Sequence, residues 1–358
     1  MDYNEIKAIK WEIFKNTKKM LDDLPPEHPL KSVSISDLDN DDNKTFLWQI
    51  EEAFSFAEHD TDNNKKWFDS KIKEIAESNE RKQVSSNLGE LRAYSLLKKS
   101  HFGENLKCES GKGCDFTSTI SVGNIKQKVR IEVNTPLGRD NPKRTTIDHG
   151  TTVDGRITTG IKEYAPFGFP EREKDSIGSE VISKVNSIKE DEAQFEDDAI
   201  NILFIDYVNP FLSSLDIMNG HNIPFTFHND TIYTGNIWWG MYSRKSEEIF
   251  FAKALFYPDK EKPYEMEYNG KLTRKDSKVD FVILNMYEGI SVFEKLPKHK
   301  LVIEKEIYLS FMTLPRIEFE NLWINYPVHD LKKRVKRTKK QGTKLLKSAS
   351  FLLTNEWR

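Results

Sequence analysis

The sequence contains few cysteines and no long apolar run. Of its 358 residues, only Cys108 and Cys114 are cysteines, and no histidine or further cysteine is arranged around them as a ligand. This spacing supports neither a disulfide framework nor a zinc site. No stretch approaches the roughly 18 to 20 apolar residues of a membrane span, and the charged N-terminus lacks the apolar segment of an export signal. We therefore expect a soluble, cytoplasmic protein without a membrane partner.

An excess of one charge is also absent, since the formal net charge is only −3. Positive charge is nevertheless concentrated near the C-terminus, where residues 331–347 include nine Lys and Arg residues and no acid. Such a segment is often a solvated surface, but it would also add phosphate contacts if the ligand is a nucleic acid. The residues that we predict to contact nucleic acid are Lys332, Lys333, Arg334, Lys336, Arg337, Lys339 and Lys340.

The chain is longer than a usual single domain of about 100 to 200 residues. Changes in composition along it predict four parts. Residues 1–80 form a helical N-terminal region, 81–210 an α/β core, 211–330 an aromatic-rich extension of the sheet, and 331–358 a basic tail. Two apolar segments of the extension, KVDFVILNMY and LVIEKEIYLSFM, are predicted to add strands to the sheet.

The predicted core begins with a helix that starts near Ser86, has Glu90 in its first turns and carries an apolar stripe from Leu88 to Leu97. Three segments of alternating polarity follow, NLKCES, CDFTSTISVG and QKVRIEVNTP, and they predict a three-strand meander. A polar segment, 137–176, is long for a connection and is either a mobile loop or a substrate-contacting insertion.

The second half of the core repeats this alternation of helix and strand. Ile177, Val181, Val185 and Ile188 have helical spacing, and we predict that their helix continues through the acidic stretch 190–198. The apolar run 202–205 then predicts a central strand that is covered on both faces. The order helix, three strands, helix and strand predicts an α/β sandwich.

Three acids of this core could share one task. Asp115 opens a strand, Glu132 lies late in the next strand, and Glu90 lies on the helix that packs on the sheet. Adjacent strands are about 5 Å apart, so two acids at one edge can bind the same ion. Oxygen ligands of this kind suit Mg²⁺ or Mn²⁺ and imply phosphodiester cleavage. Taken singly, Glu90 could be a helix N-terminal acid and Asp115 a turn residue, whereas Glu132 lies within an apolar strand, where a charge needs a partner or a function.

The segments GELRAYSLL, GCDF and IEVNTP resemble the PD-(D/E)XK, or restriction-endonuclease-like, nucleases, whose helix glutamate, motif aspartate and glutamate-x-lysine signature occur in the same order. The resemblance covers roughly residues 86–206. It implies a restriction-endonuclease-like α/β fold with a central mixed sheet flanked by helices. It also implies an Mg²⁺-dependent site in which Asp115 and Glu132 bind the metal ion and Glu90 supports the site or helps with a second ion. Lys184 and Gln194 would match the polar residues that often face the site from the second helix of this family.

The sequence departs from the family pattern at two positions. Cys114 replaces the proline before the aspartate, and Asn134 replaces the signature lysine. The lysine would supply positive charge near the attacking water and the phosphate, whereas asparagine offers only amide dipoles. A lysine could also reach the site from another position, and Lys112, Lys128 and Lys184 are the candidates.

The leading hypothesis is therefore a metal-dependent endonuclease that acts on DNA, of the restriction or defence type, with a homodimer as one open arrangement. The alternative is a catalytically degenerate module that keeps the fold and binds nucleic acid or a partner, since Asn134 replaces the lysine. A third hypothesis is an interaction domain whose basic tail binds acidic partners.

Overall fold

A computed structural model of the chain divides it into two compact units. Unit 1 comprises residues 1–137, 189–214 and 274–333, and unit 2 comprises 138–188, 215–273 and 334–358. Within these bounds the structure describes residues 12–31, 44–111, 113–122, 124–136, 147–151, 157–161, 194–208, 225–228, 231–234, 241–242, 244–246, 248–249, 252–254, 264–265, 269–286 and 290–295. Over these ranges, no helix is long and apolar enough to span a membrane.

Four helices precede the sheet. They are α1 (Lys15–Asp23), α2 (Lys44–Glu58), α3 (Asp62–Glu77) and α4 (Arg81–Lys98). The breaks between them have local causes: Pro25 and Pro26 follow α1, and the Thr61 hydroxyl caps α3 by accepting a hydrogen bond from the Asn64 amide. The predicted helices of the N-terminal region are therefore present between residues 15 and 77.

Helix α4 begins earlier than predicted. It starts at Arg81 rather than near Ser86, because Arg81–Ser85 contains no helix breaker and Val84 is fully buried one turn before Leu88. Glu90 therefore lies in the middle of α4 and not in its first turns. A favourable interaction with the helix dipole, which fades beyond the first turn, does not explain a buried acid at this position.

The central sheet of unit 1 has six strands. They are β1 (Lys107–Cys108), β2 (Phe116–Val122), β3 (Ile125–Asn134), β6 (Ile200–Asp206), β12 (Phe281–Asn285) and β13 (Ile290–Glu294), adjacent in that order. Strands β1, β2 and β3 form an antiparallel meander. The β3–β6 and β6–β12 pairs are parallel, and β13 returns antiparallel to β12. The sheet is thus mixed, as the sequence predicted.

Every residue of β6 is buried, as expected for an apolar strand with a neighbour on each side. Ile202 and Phe204 belong to one core cluster with Val129 and Ile131 of β3 and with the apolar face of α4. Helix α4 therefore covers one face of the sheet. The predicted meander, the central strand at 202–205 and the added strand in KVDFVILNMY are all confirmed.

The prediction for the second helix is wrong where the structure describes it. Residues 194–199 form turns and a bend and contain no helix. Side chains take up the backbone groups there: Arg130 donates to the Gln194 carbonyl, and Asn201 accepts from the Glu196 amide and donates to its carbonyl. These bonds replace those that a helix would make. The earlier part of the predicted helix, 177–188, lies outside the described residues.

Unit 2 contains short antiparallel pairs. Strands β4 (Ile147–Thr151) and β5 (Ile157–Ile161) form a hairpin within the segment 137–176. Strands β7 (Phe225–His228), β8 (Thr231–Thr234) and β10 (Ala252–Ala254) form a second sheet, and β9 (Glu248–Ile249) pairs with β11 (Tyr264–Glu265). The predicted strand LVIEKEIYLSFM and the basic tail, from Lys332 to Lys340 and beyond, lie outside the described residues.

Candidate active site

Two of the three predicted acids lie near a lysine that the sequence analysis did not select. Lys71 of α3 places its Nζ 2.8 Å from Glu90 Oε2, and their side chains are 17% and 10% exposed. Asp115, just before β2, interacts electrostatically with both Glu90 and Lys71. We call Lys71, Glu90 and Asp115 the Glu90 cluster. Three separate elements bring it together: α3, α4 and the start of β2.

Burial dominates the ionisation of both acids in this cluster. Burial, followed by repulsion from Asp115, raises the pKa of Glu90 to about 7, although Lys71 opposes the shift. Burial also raises the pKa of Asp115, against the hydrogen bond from the Val133 amide and the charge of Lys71. A nearby cation stabilises the ionised form of two carboxyl groups whose pKa values are raised in this way.

Lys71 remains charged in these surroundings. Burial alone would lower its pKa, but the attraction of Glu90 and then of Glu74 outweighs burial, so the pKa of Lys71 lies above its ordinary value. Its Nζ also lies 3.4 Å from Glu74 Oε2 and 3.5 Å from Asn87 Oδ1. The ammonium is therefore held by oxygen atoms of α3 and α4.

The third acid, Glu132, is positioned by a different contact. Its neighbours Ile131 and Val133 pack against the core, so the alternation of β3 directs the Glu132 side chain to the opposite face. Gln194 Nε2 donates to Glu132 Oε1 at 3.1 Å. The adjacent Val133 amide donates to Asp115 Oδ2 at 2.7 Å, which fixes Asp115 to the same strand. Gln194 thus contacts a predicted site residue from a turn rather than from a helix.

Asn134, at the end of β3, is half-buried and pairs in register with Ile205. Of the lysines proposed to replace the missing charge, Lys128 instead forms an ion pair with Glu196 at 2.7 Å. Lys112 and Lys184 lie outside the described residues. The cation that the described chain places against Glu90 is Lys71.

A buried ion pair lies on the same helix as Glu90. Arg92 Nε donates to Asp206 Oδ2 at 2.9 Å, and neither side chain is exposed. Asn285 donates to Asp206 Oδ1 at 2.8 Å and also exchanges hydrogen bonds with Gln49 of α2. Burial raises the pKa of Asp206, and the Arg92 charge opposes this. The network ties α2, α4, β6 and β12 together at the ends of the two parallel strands.

A cavity of about 410 Å³ opens beside the β1–β2–β3 meander. Its lining has three cations and one acid, among the residues Lys107, Glu109, Ser110, Gly111, Gly113, Cys114, Thr117, Lys128 and Arg130. Lys128 and Arg130 lie on the same face of β3 as Glu132, four and two residues before it. Both also pair with Glu196, so part of the positive charge is balanced.

The chemistry of these donors fits a hard divalent cation. Glu90, Asp115 and Glu132 offer carboxylate oxygens, the ligand type that Mg²⁺ and Mn²⁺ prefer. Within the described ranges, however, no group of three His, Cys, Asp or Glu side chains is arranged so that it could hold one ion. Both cysteines are free thiols, and burial raises the pKa of each.

Comparison of the chain with protein-family models, with curated proteins and with solved structures finds no match.

Sequence analysis missed Lys71 because nothing local distinguishes it. It is one of several lysines on α3, and its spacing from Glu74 is that of an ordinary surface pair on a helix. Its contact with Glu90 depends on how α3 packs against α4. The amphipathic pattern of α3 predicts a buried face, but not which charged residue at its border meets an acid of the next helix.

Proposed function

We propose that the protein is a metal-dependent endonuclease that hydrolyses phosphodiester bonds in DNA, with a restriction-endonuclease-like core. The observation that carries the proposal is the Glu90 cluster. A buried acid from a helix and a half-buried acid from the meander lie beside a charged lysine at a mixed sheet. Groups of this kind, with perturbed pKa values, are typical of catalytic sites.

Asp115 and Glu132 would hold the metal ion, and Glu90 would support the site or help with a second ion. A bound Mg²⁺ or Mn²⁺ would supply an activated water and neutralise charge on the phosphate. The chain's own residues prepare the site. The Val133 amide orients Asp115, Gln194 orients Glu132, and Lys71 holds Glu90. Such contacts to ligand residues typically fix their orientation and tune their basicity.

The cavity beside the meander supports DNA as the substrate. Lys107, Lys128 and Arg130 line this cavity. Lys128 and Arg130 lie on β3, the strand that carries Glu132. Lysine and arginine side chains bind the DNA backbone through its phosphates. The basic tail at Lys332–Lys340 would add phosphate contacts of the same kind. Phosphate contacts do not distinguish sequences, so the recognition site is left open.

The test is cleavage of supercoiled plasmid DNA with Mg²⁺ or Mn²⁺ by the wild type, Asp115→Ala and Glu132→Ala. We expect cleavage by the wild type and a loss of at least about a hundredfold in each variant. An intact thermal unfolding transition in each variant shows that the loss is not a folding defect. Cleavage that neither substitution reduces would refute the assignment of the site.

The second candidate is a module that keeps the fold and binds nucleic acid without cutting it. Asn134, which provides no charge where the family signature has lysine, favours this candidate. Introducing Asn134→Lys discriminates between the two. New cleavage by a variant of an inert wild type would indicate a degenerate nuclease, whereas loss of an existing activity would show that Asn134 functions as it is.

A further inference from the structure

Lys71 occupies an unusual position for a lysine. It lies on a helix outside the predicted core, yet its side chain is only 17% exposed and its ammonium contacts Glu90. Lys73, two residues later on the same helix, is 72% exposed and is paired only loosely, 3.8 Å from Glu77. Lys71 is therefore directed toward the acids of the site, whereas Lys73 belongs to the solvated face of α3.

Because the Lys71 ammonium is largely desolvated, its charge interacts strongly with nearby groups. An ammonium that is largely withdrawn from water interacts with nearby charges more strongly than an exposed one, because solvent screens it less. Lys98, on α4, is equally covered, but its charge is directed to Asp60 at 3.0 Å. Lys71 is held within reach of the same acids that would meet the substrate.

We propose that Lys71 provides the positive charge that Asn134 does not, and that it contacts the phosphate that is cleaved. This inference rests on the proposed nuclease function. Glu90 would act as the residue that positions the Lys71 ammonium, in addition to any role toward the metal ion.

The role follows from how charge changes during hydrolysis. The oxygen of a water molecule bonds to phosphorus while one phosphorus–oxygen ester bond breaks. One proton of the water ends on the departing oxygen, so the products are a phosphate monoester and a hydroxyl group. Charge shifts onto the departing oxygen and is spread over the phosphate oxygens in the transition state. A fixed ammonium that contacts these oxygens stabilises this state more than the ground state.

The experiment compares the wild type with Lys71→Gln, Lys71→Arg and the matched control Lys73→Gln. One measurement is the single-turnover rate of cleavage of a DNA duplex with Mn²⁺. The other is the affinity for the same duplex in Ca²⁺, from fluorescence anisotropy at several NaCl concentrations. Thermal unfolding checks that each variant is folded. If Lys71→Gln does not fold, Lys71→Met, which keeps the aliphatic stem, replaces it.

We expect Lys71→Gln to lower the cleavage rate by about a hundredfold or more and Lys71→Arg to restore part of it. The dependence of binding on salt should also decrease in Lys71→Gln by about one phosphate contact. Lys73→Gln should match the wild type in both measurements. If the role of Lys71 were only structural, its substitution would not change the salt dependence of DNA binding.

Three results would overturn the inference. Lys71→Gln could cleave and bind like the wild type, which leaves the nuclease function intact but removes Lys71 from it. Lys71→Gln could lose cleavage without any change in salt dependence and without rescue by arginine, which would make Lys71 only a support for Glu90. A wild type that neither binds nor cleaves DNA would refute the proposed function, and this inference with it.

Discussion

Gly89 and Thr135 are in such close contact that no larger residue fits at the glycine. A Cβ atom built on Gly89 would lie 1.9 Å from Thr135 Oγ1 and 3.2 Å from Asp206 Oδ2. Because real Cβ atoms do not approach so closely, the glycine allows α4 to cross the end of β3 at this distance. The neighbouring residue Glu90 is thereby brought to the sheet.

Gly89→Ala should destabilise the protein by about 1 to 3 kcal/mol, because the added methyl group must displace packed atoms. Urea unfolding measures the loss. Removing the Thr135 oxygen relieves the shortest contact, so Gly89→Ala combined with Thr135→Ala should be less destabilising than the sum of the two single changes. Additive effects, or a Gly89→Ala variant as stable as the wild type, would show that α4 does not approach β3 in this way.

Stability should depend on pH through Glu90. The pKa of this carboxyl is raised to about 7 in the folded protein from an ordinary value of 4.5. Because the folded protein binds this proton more tightly than the unfolded chain does, the protonated Glu90 carboxyl stabilises the fold. This stabilisation is fully present below the unfolded-state pKa of 4.5 and is lost as the pH rises through the folded-state pKa of about 7. In metal-free buffer the wild type should therefore lose stability between pH 4.5 and 7, by an amount on the order of 3 kcal/mol.

Glu90→Gln isolates this contribution because the amide does not titrate. Asp115 and Asp206, whose pKa values are also raised, are present in both proteins. The free energy of unfolding, measured in urea at pH 5 and pH 8, should fall less in Glu90→Gln than in the wild type. An equal fall in both proteins would mean that Glu90 is not the titrating group.

Replacing only one residue of the Arg92–Asp206 pair should lower the free energy of unfolding more than replacing both residues with apolar ones. Arg92→Met leaves the Asp206 carboxylate buried without its cation, and the expected cost is about 3 to 5 kcal/mol. A double variant, Arg92→Met with Asp206→Leu, should be more stable than Arg92→Met alone. A double-mutant cycle in urea gives the coupling energy, and a value near zero would contradict the buried pair.

Under the proposed function, Gln194→Ala should reduce DNA cleavage without unfolding the protein. The amide of Gln194 donates to Glu132, a proposed metal ligand, and the loss of such a contact to a metal ligand typically costs about ten- to a hundredfold in activity or metal affinity. Gln127→Ala is the control, since that side chain donates to the Asp198 carbonyl near the start of β3, five residues before Glu132. Equal activity in the two variants would exclude a role for Gln194.

Sequence patterns predicted the elements whose signal is local. The continuous apolar runs of β6 and β12 and the alternation of β3 are visible in short windows, and Glu132 was selected because it interrupts such a strand. The start of α4 and the turn at 194–199 were mispredicted. The turn is fixed by side chains of Arg130 and Asn201, one of them far away in sequence.

The site was predictable only in part for the same reason. Glu90 and Asp115 were selected by their order and elements, and the structure places them close together. Lys71 was not, because its importance arises from the packing of α3 against α4. The resemblance to a nuclease family indicated a replacement lysine within the core, but Lys128 pairs with Glu196 there.

A fragment limited to the predicted core, 81–210, should not fold. It lacks β12, which pairs with β6, and Asn285, which donates to Asp206. It also lacks α2 and α3, whose apolar residues belong to the core. Such a fragment would expose one edge of β6, a strand that is fully buried in the whole protein, and this favours aggregation. Circular dichroism and size-exclusion chromatography of 81–210 and of the full chain would reveal a folded fragment if this is incorrect.

The pairing of β6 with β12 also determines the order in which the sheet can be completed during translation. Asp206 and Asn285 are 79 residues apart, and segment 215–273 of unit 2 lies between them in the sequence. The ribosome therefore makes the central strand well before its second neighbour. In a nascent chain one edge of β6 therefore stays unpaired until β12 emerges, and the six-stranded sheet is completed only after segment 215–273 of unit 2 has been made.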